Sequence, residues 1–340
     1  NSSRIAYAPI NSLGGALVTF DVGQLFPRGG FVSSICSWTS DGGSGIANRL
    51  VIISSEGDCV VFSGADPSVA ADFRNDGVWQ LQPPAHSSPF IAYDGDILYF
   101  ASTGIFPLSS YLQSSNNAPP ITSNISNTIG TIARKFKDKF GFDAIQVPNE
   151  HLLVVNIPQI TLSGNIQFAF NSETGGWSLF TGMPANCWAQ LNGEVFFAGG
   201  TSVWKAFTGY KDAVAVDGTG GKPYSAIVQQ AFSTLGVPGN NKHVTLIRTN
   251  LISTTSRTSM KIAVKTDFDV SPPNNIPTVS SGTASLWDTS QWDIAKWGSD
   301  NVAMSRWQGA NGSGTYISII LVIQVIDETV WTSSDLVFEV

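Results

Sequence analysis

Three carboxylate pairs stand close together in the sequence: Glu56 with Asp58, Asp94 with Asp96, and Asp72 with Asp76. Two carboxylates flanking a sugar ring, one protonated and one charged, can cleave a glycosidic bond. The first two pairs, however, each bracket a glycine, in Glu56-Gly57-Asp58 and Asp94-Gly95-Asp96. Acids favour a bend at such places, and a single active site needs only one pair. A folding role is therefore expected for them. His86, His151 and His243 are isolated, with no HExxH or H-x-H spacing. Gly42-Gly43-Ser44-Gly45 is followed by neither a lysine nor a helix signal, so it makes no phosphate loop. Cys36, Cys59 and Cys187 are odd in number and widely spaced, which suits neither a disulfide framework nor a zinc site. They read as small core hydrophobes of a reducing compartment. No catalytic set, metal or cofactor is expected.

Two further groups could make contacts. Trp287, Trp292 and Trp297 recur every five residues, each of the first two followed by Asp, and Trp307 follows ten residues later. That spacing fits neither helix nor strand, so successive tight turns are expected. Exposed tryptophans stack on sugars and buried ones anchor interfaces; packing or a subunit interface is the favoured reading for these four. The second group is basic. Arg134, Lys135, Lys137 and Lys139 lie on a segment whose apolar residues Ile129, Ile132, Ala133, Phe136 and Phe140 recur at three- and four-residue steps. A helix over 128–140 is expected, ended by Gly141. Its basic face is either solvated or in contact with DNA or an acidic partner.

The elements that must carry these groups are strands. Charged residues make up 13% of the 340-residue chain, about half the usual ~25%, which excludes helix-rich and coiled-coil classes. With 42% hydrophobic and 11% aromatic residues, the chain can bury a large core and is not disordered. Ser, Thr and Asn suit exposed strand faces, and the 33 glycines suit turns. Net charge is −7, so no broad basic surface for nucleic acid is expected. The longest apolar run, Ile319 to Ile323, is far too short to span a membrane as a helix. The opening Asn1-Ser2-Ser3-Arg4 has no Met and no secretory layout, and the chain is expected to be processed or part of a longer one.

Internal repetition gives the architecture. Tyr93-Asp94-Gly95-Asp96-Ile97-Leu98-Tyr99 aligns with Leu191-Asn192-Gly193-Glu194-Val195-Phe196-Phe197, and Thr103-Gly104-Ile105-Phe106 with Thr201-Ser202-Val203-Trp204. Each is a hairpin with an Asp-Gly or Asn-Gly turn. A looser copy runs Leu50 to Phe62. A further unit, Phe170 to Leu179, is similar to the outer hairpin of kelch-type blades, where a Trp such as Trp177 packs between blades. Residues 1–210 are thus expected to form a β-propeller-like domain, 211–223 a linker, and 224–340 a β-sandwich or barrel with strands over 224–232, 243–254, 260–268, 316–326 and 336–340. The fold class is all-β.

An ordered set of segments resembles one family. These are Ala8-Pro9-Ile10, Phe20-Asp21-Val22, Leu25-Phe26-Pro27-Arg28-Gly29-Gly30, and Trp38-Thr39-Ser40-Asp41-Gly42-Gly43-Ser44-Gly45. Ser54-Ser55-Glu56-Gly57-Asp58, Gly64-Ala65-Asp66-Pro67-Ser68, Gly77-Val78-Trp79-Gln80-Leu81 and Gly104-Ile105-Phe106-Pro107-Leu108-Ser109 continue it, followed by Gln230-Ala231-Phe232-Ser233 and the Trp-Asp repeat. Together they resemble tail-tube, nozzle or head-to-tail hub proteins of short-tailed double-stranded DNA phages, over nearly the whole chain. The resemblance implies a non-enzymatic virion subunit, assembled in the host cytoplasm into a homo-oligomeric ring, expected to be a hexamer, below the head-to-tail adaptor. Such a ring contacts other tail proteins, retains the packaged genome and passes double-stranded DNA on ejection. Two rival readings stand beside it: a propeller-based tail protein that binds or degrades host polysaccharide, and a bacterial kelch-like scaffold.

Overall fold

The computed structural model describes residues 3–9, 12, 14–41, 46–69, 71–114, 118–137, 139–158, 165–214, 220–254, 259–273 and 302–340. Antiparallel strands dominate, and the chain divides into two compact units, Asn1–Ala206 and Phe207–Val340.

The first unit opens with a two-stranded ribbon, β1 (Arg4–Tyr7) and β2 (Val18–Asp21). A four-stranded meander follows: β3 (Val32–Asp41), β4 (Ile46–Ser54), β5 (Asp58–Ser63) and β6 (Arg74–Gln80). The next sheet has three strands, β7 (Phe90–Tyr93), β8 (Asp96–Ala101) and β9 (Gly104–Pro107), and leads into helices α1 (Leu108–Gln113) and α2 (Ser126–Phe136). Then come a four-stranded sheet, β10 (Asp143–Val147), β11 (Leu152–Ile157), β12 (Ile166–Asn171) and β13 (Trp177–Phe180), and a three-stranded one, β14 (Cys187–Leu191), β15 (Glu194–Gly199) and β16 (Ser202–Lys205). In each sheet consecutive strands are neighbours, as in a propeller blade.

The repeated hairpins are equivalent in three dimensions. Tyr93 pairs with Asp96 and Leu191 with Glu194. Between them, Asp94 and Gly95 have φ of 47° and 76°, and Asn192 and Gly193 have 52° and 81°. Positive φ at both central residues defines the type I′ turn, whose twist matches that of the flanking strands.

Strand alternation then stacks the sheets. Along β8, Ile97, Tyr99 and Ala101 point one way into a cluster with Val51, Ile53, Cys59 and Val61 of the preceding sheet. Leu98 and Phe100 point the other way, joining Leu153, Val155 and Phe168 of the following sheet together with Ile129, Ile132 and Phe136 of α2. Trp177 joins that second cluster, and its Nε1–H donates to the Ile121 carbonyl at 3.1 Å. A buried amide relay ties β11 and β12 to the chain entering the last sheet of the unit. Asn156 Nδ2 donates to the Gly141 and Ala185 carbonyls at 2.6 and 2.7 Å, and Gln167 Nε2 donates to Asn156 Oδ1 at 2.7 Å.

α2 is shorter than its periodicity suggests. It ends at Phe136 rather than running to 140, because Lys139 N–H bonds the Phe136 carbonyl in a turn and Gly141, at φ 108°, redirects the chain into β10. Phe140, expected on the apolar face, is 87% exposed.

In the second unit, the stretch expected to be a linker carries a small hairpin, β17 (Asp212–Val214) with β18 (Gly220–Lys222). Six longer strands follow: β19 (Tyr224–Gln229), β20 (Lys242–Ser253), β21 (Ser259–Thr266), β22 (Val302–Gly314), β23 (Ile317–Val325) and β24 (Thr329–Glu339). They form two three-stranded sheets, in the orders β19-β23-β21 and β22-β20-β24. Leu251 of one sheet meets Leu321, Ile323 and Val325 of the other, so the two pack face to face as a sandwich. β23 is buried along its whole length. Two strands depart from expectation: β22 occupies a stretch with no strand signal, and β24 begins at Thr329 rather than 336. The glycines of β22 have a packing reason. A Cβ on Gly312 would lie 2.6 Å from Val264, and one on Gly314 would lie 2.7 Å from Thr266. Among the described residues, no helix is long and apolar enough to cross a membrane.

Candidate functional site

The β7–β8 turn of the first unit opens onto a cleft of about 460 Å³. Ser37 and Thr39 of β3, Tyr93, Asp94 and Asp96, Ala144 to Gln146 of β10 and Gln190 of β14 line it, so the first strands of four successive sheets converge there. Asp94 is exposed, and its backbone N–H donates to Gln146 Oε1 at 3.2 Å. Asp96 is tethered: its Oδ2 accepts from Ser109 N–H at 3.3 Å and from Ser109 Oγ–H at 2.6 Å. Its Oδ1 is buried without a hydrogen-bond partner. Amides, hydroxyls and two carboxylates on a wet wall can hydrogen-bond a polyhydroxylated ligand.

In the other two pairs only Asp58 is buried, and Glu56, Asp72 and Asp76 are exposed. Asp58 is fully buried and its Oδ2 accepts from Arg28 N–H at 2.8 Å, while Ser54 Oγ accepts from the N–H groups of Glu56 and Asp58 at 3.2 and 2.9 Å. Asp72 Oδ2 accepts from Ala65 and Asp66 N–H at 2.9 and 3.1 Å. Asp76 takes Ser63 Oγ–H at 2.7 Å and lies 3.5 Å from Arg49 Nε. These carboxylates hold turns and strand edges together.

The basic cluster is exposed in full. Ile129, Ile132, Ala133 and Phe136 bury one side of α2, which leaves Arg134 and Lys135 on its last turn and Lys137 and Lys139 just beyond it. Cations there suit the negative end of the helix dipole. Arg134 Nη2 donates to Thr131 Oγ1 at 3.4 Å, and Lys135 Nζ sits 5.3 Å from the Phe136 ring centre. Among the described residues no carboxylate pairs with any of the four, so their positive charge is uncompensated there. Elsewhere in this unit Arg4, Arg49 and Lys205 are each matched to a carboxylate.

Trp287, Trp292 and Trp297 lie outside the described residues. Trp307 lies on the outer face of the β22-β20-β24 sheet, 41% exposed. Arg248 stacks over its ring at 4.8 Å, and Arg248 Nη2 meets Asp335 Oδ2 at 2.6 Å. Leu246, Ile252, Val330 and Val337 share this face, each at least 40% exposed. Of this face the sequence singled out Trp307 alone as an interface candidate. A further signal was present: Leu246 and Ile247, then Leu251 and Ile252, place apolar residues on both sides of β20, where one wet side would favour polar ones.

The histidines and cysteines are dispersed. His86 is buried, stacked flat on Phe142 at 4.3 Å, and burial drops its pKa to about 3. His151 Nε2 lies 3.6 Å from Glu173 Oε1 at the surface, and His243 is exposed. Burial pushes the Cys36 thiol up to about 12 and Cys59 higher still, so neither is a ready nucleophile. Cys187, expected in the core, is exposed on β14. Its register across from Ala198 puts it on the uncovered side of that sheet. Among the described residues no three His, Cys, Asp or Glu side chains are grouped to hold a metal ion.

No protein-family model matches the chain, and no curated protein does. Two solved structures align along most of it. One is a glycoside hydrolase family 43 arabinoxylan arabinofuranohydrolase from Bacillus subtilis, at 9% identity and a TM-score of 0.26, covering 89% of this chain and 78% of that one. The other is a Cry1Da tryptic core variant from Bacillus thuringiensis, at 10% identity and a TM-score of 0.20, covering 90% of this chain and 51% of that one. Likeness at that level does not transfer a function.

Proposed function

We propose that this chain is a structural subunit of a short-tailed phage tail, assembling in the host cytoplasm as a homo-oligomeric ring. Six copies are expected from the family resemblance, seated below the head-to-tail adaptor and against other tail proteins. The ring extends the conduit that retains the packaged genome and passes double-stranded DNA at ejection, and it catalyses no reaction. One observation carries the assembly part of this reading. The second unit keeps a sheet face with Leu246, Ile252, Trp307, Val330 and Val337 each 40–48% exposed. The four aliphatic residues stand at two ends of the face, Leu246 with Val337 and Ile252 with Val330, with the Arg248–Asp335 and Asn250–Ser333 rows between them, and apolar side chains left exposed on a sheet face suit a contact between proteins. Arg134, Lys135, Lys137 and Lys139, which pair with no carboxylate among the described residues, supply a DNA contact in an otherwise acidic chain, whose remaining wall would repel phosphates and let the genome slide. Electron microscopy and mass measurement of the purified chain test the reading. A ring with a central channel is expected; a species that stays monomeric at every concentration overturns it.

The second reading, a tail protein that binds or degrades host polysaccharide, is favoured by Asp94 and Asp96 in the polar cleft. Its test is hydrolysis of host capsule by the chain and by its Asp96→Asn variant. Cleavage abolished by that change establishes degradation, and an unaltered chain that neither cleaves nor binds capsule removes the reading.

A further inference from the structure

Two carboxylates line the cleft at the β7–β8 turn, and only one of them is free to meet a ligand. Asp96 is committed to the fold. Its Oδ2 takes both the N–H and the hydroxyl of Ser109 at the start of α1, and its Oδ1 is buried. Asp94 has no such tie: it is exposed, and among the described residues its carboxylate takes no hydrogen bond or ion pair. Beside it the wall is polar and uncharged. Ser37, Thr39 and Gln190 are exposed there, and Tyr93 and Gln146 are half-buried. Gln146 Oε1 accepts from the Asp94 N–H, which leaves the amide NH2 as a donor. Thr39 Oγ1 donates to Asn48 Oδ1 at 3.0 Å, which leaves its oxygen to accept. Among the described residues, no Lys, Arg or His lines the cleft.

Resting on the second reading above, we propose that this cleft binds a neutral polysaccharide and does not cleave it, with Asp94 as the residue that rejects acidic glycans. Hydrolysis needs two carboxyl groups at the sugar, one to protonate the leaving oxygen and one to attack or to activate water. With Asp96 held by Ser109, Asp94 stands alone. Binding has other needs. Sugar hydroxyls both donate and accept, and the wall answers in kind: Gln190 and Ser37 do both, Gln146 donates, and Asp94 and Thr39 accept. Charge narrows the class further. A uronate, a phosphate or a nucleic acid would meet the Asp94 carboxylate with no cation on the described wall to offset the repulsion. An apolar ligand would strip water from Asp94 and two amides without replacing their hydrogen bonds. An amine would pair with Asp94, but it would leave two hydroxyls and two amides unmatched. The volume of about 460 Å³ is ordinary for a ligand site.

The full chain is applied to an array of neutral and uronate-containing bacterial polysaccharides, and each glycan it binds is then incubated with it and sized. Binding of neutral glycans with no shortening is expected. Two variants locate the site. Gln190→Ala removes an exposed amide and should weaken binding up to about tenfold, the loss of one hydrogen bond, with the melting point unchanged. Asp94→Asn keeps the turn, because the matching hairpin already carries Asn192 there at φ 52°. It should hold neutral glycans within about threefold and bind uronate-containing ones at least about threefold better at low salt. If Gln190→Ala melts lower, the Asp94→Asn profile decides. Shortened glycans overturn binding without cleavage and leave the second reading standing. Equal binding of neutral and acidic glycans by the unaltered chain overturns the charge selection, and an unchanged Asp94→Asn profile moves the site out of this cleft; either result overturns the proposal. Spermidine bound in calorimetry with no neutral glycan bound makes this an amine site and overturns it too. A chain that neither binds nor shortens any glycan overturns the proposal and the second reading together.

Discussion

The guanidinium of Arg248 lies 4.8 Å from the centre of the Trp307 ring, the two residues facing each other in register across β20 and β22. The pair is half in water. An exposed cation–π contact contributes roughly 0.5–1 kcal/mol, so Trp307→Ala should cost the isolated subunit about 1 kcal/mol. Its effect on assembly should be larger, because interface tryptophans carry disproportionate binding energy. Melting and sedimentation of the same preparation separate the two effects. A loss of several kcal/mol in subunit stability with assembly intact would make the indole a core residue.

His86 sets a pH limit. Its Nδ1 accepts from Ser88 N–H at 3.1 Å, and burial depresses the imidazole from 6.5 to about 3. The unfolded chain therefore binds the proton first. Stability should be complete above about pH 6.5 and should fall as pH drops from there towards 3, by a few kcal/mol at most. Chemical denaturation at successive pH values measures the slope. His86→Gln should lower stability at neutral pH and flatten the acid limb; an unchanged limb assigns the acid sensitivity to other groups.

Two glycines should differ in kind. A Cβ on Gly199 would lie 1.7 Å from the Pro184 carbonyl oxygen, a backbone atom that cannot swing aside. Gly95 has φ 76° and open space around it. Gly199→Ala should cost about 2–3 kcal/mol through overpacking, and Gly95→Ala about 1 kcal/mol through backbone strain alone. Equal losses in urea titrations would contradict the steric account of Gly199.

Changing Arg134, Lys135, Lys137 and Lys139 together to Gln should leave the melting point nearly unchanged, since exposed charges of this kind contribute little to stability. If the cluster touches DNA, the slope of log affinity against log salt should become shallower by up to about 3–4, one increment for each phosphate that is no longer neutralised. The readout is genome retention or DNA binding across a salt series. An identical slope with intact assembly removes the DNA contact, and failed assembly assigns the four residues to a subunit interface.

Much of the fold was legible because it rests on local chemistry. The Asp94-Gly95 and Asn192-Gly193 turns are decided by φ preferences that two residues carry by themselves, so the matched hairpins around them could be aligned from sequence alone. The all-β class follows in the same way from Thr, Ser, Asn and Gly content and from strand alternation. Other features depend on what lies across a gap. β22 has little strand propensity, and it is a strand because β20 supplies its hydrogen bonds and Val264 leaves room only for glycine at 312. α2 stops at Phe136 because Gly141 turns the chain, although the apolar periodicity continues to Phe140.

For the candidate sites the division is similar. Sequence singled out the basic cluster, because the period of a helix places its charges together. It also named Asp94 and Asp96 as turn acids, yet their position on a cleft comes from four sheets bringing their first strands to one place. Sequence singled out Trp307 as an interface candidate, but the exposed apolar side chains that share its face, Leu246, Ile252, Val330 and Val337, were not visible in the chain. Exposure is the difference between the water a side chain could meet and the water its neighbours exclude. Those neighbours, such as Arg248 beside Trp307, are distant in sequence. Residue types and short spacings determined the strands and turns; only the packed sandwich decided which apolar side chains were left uncovered.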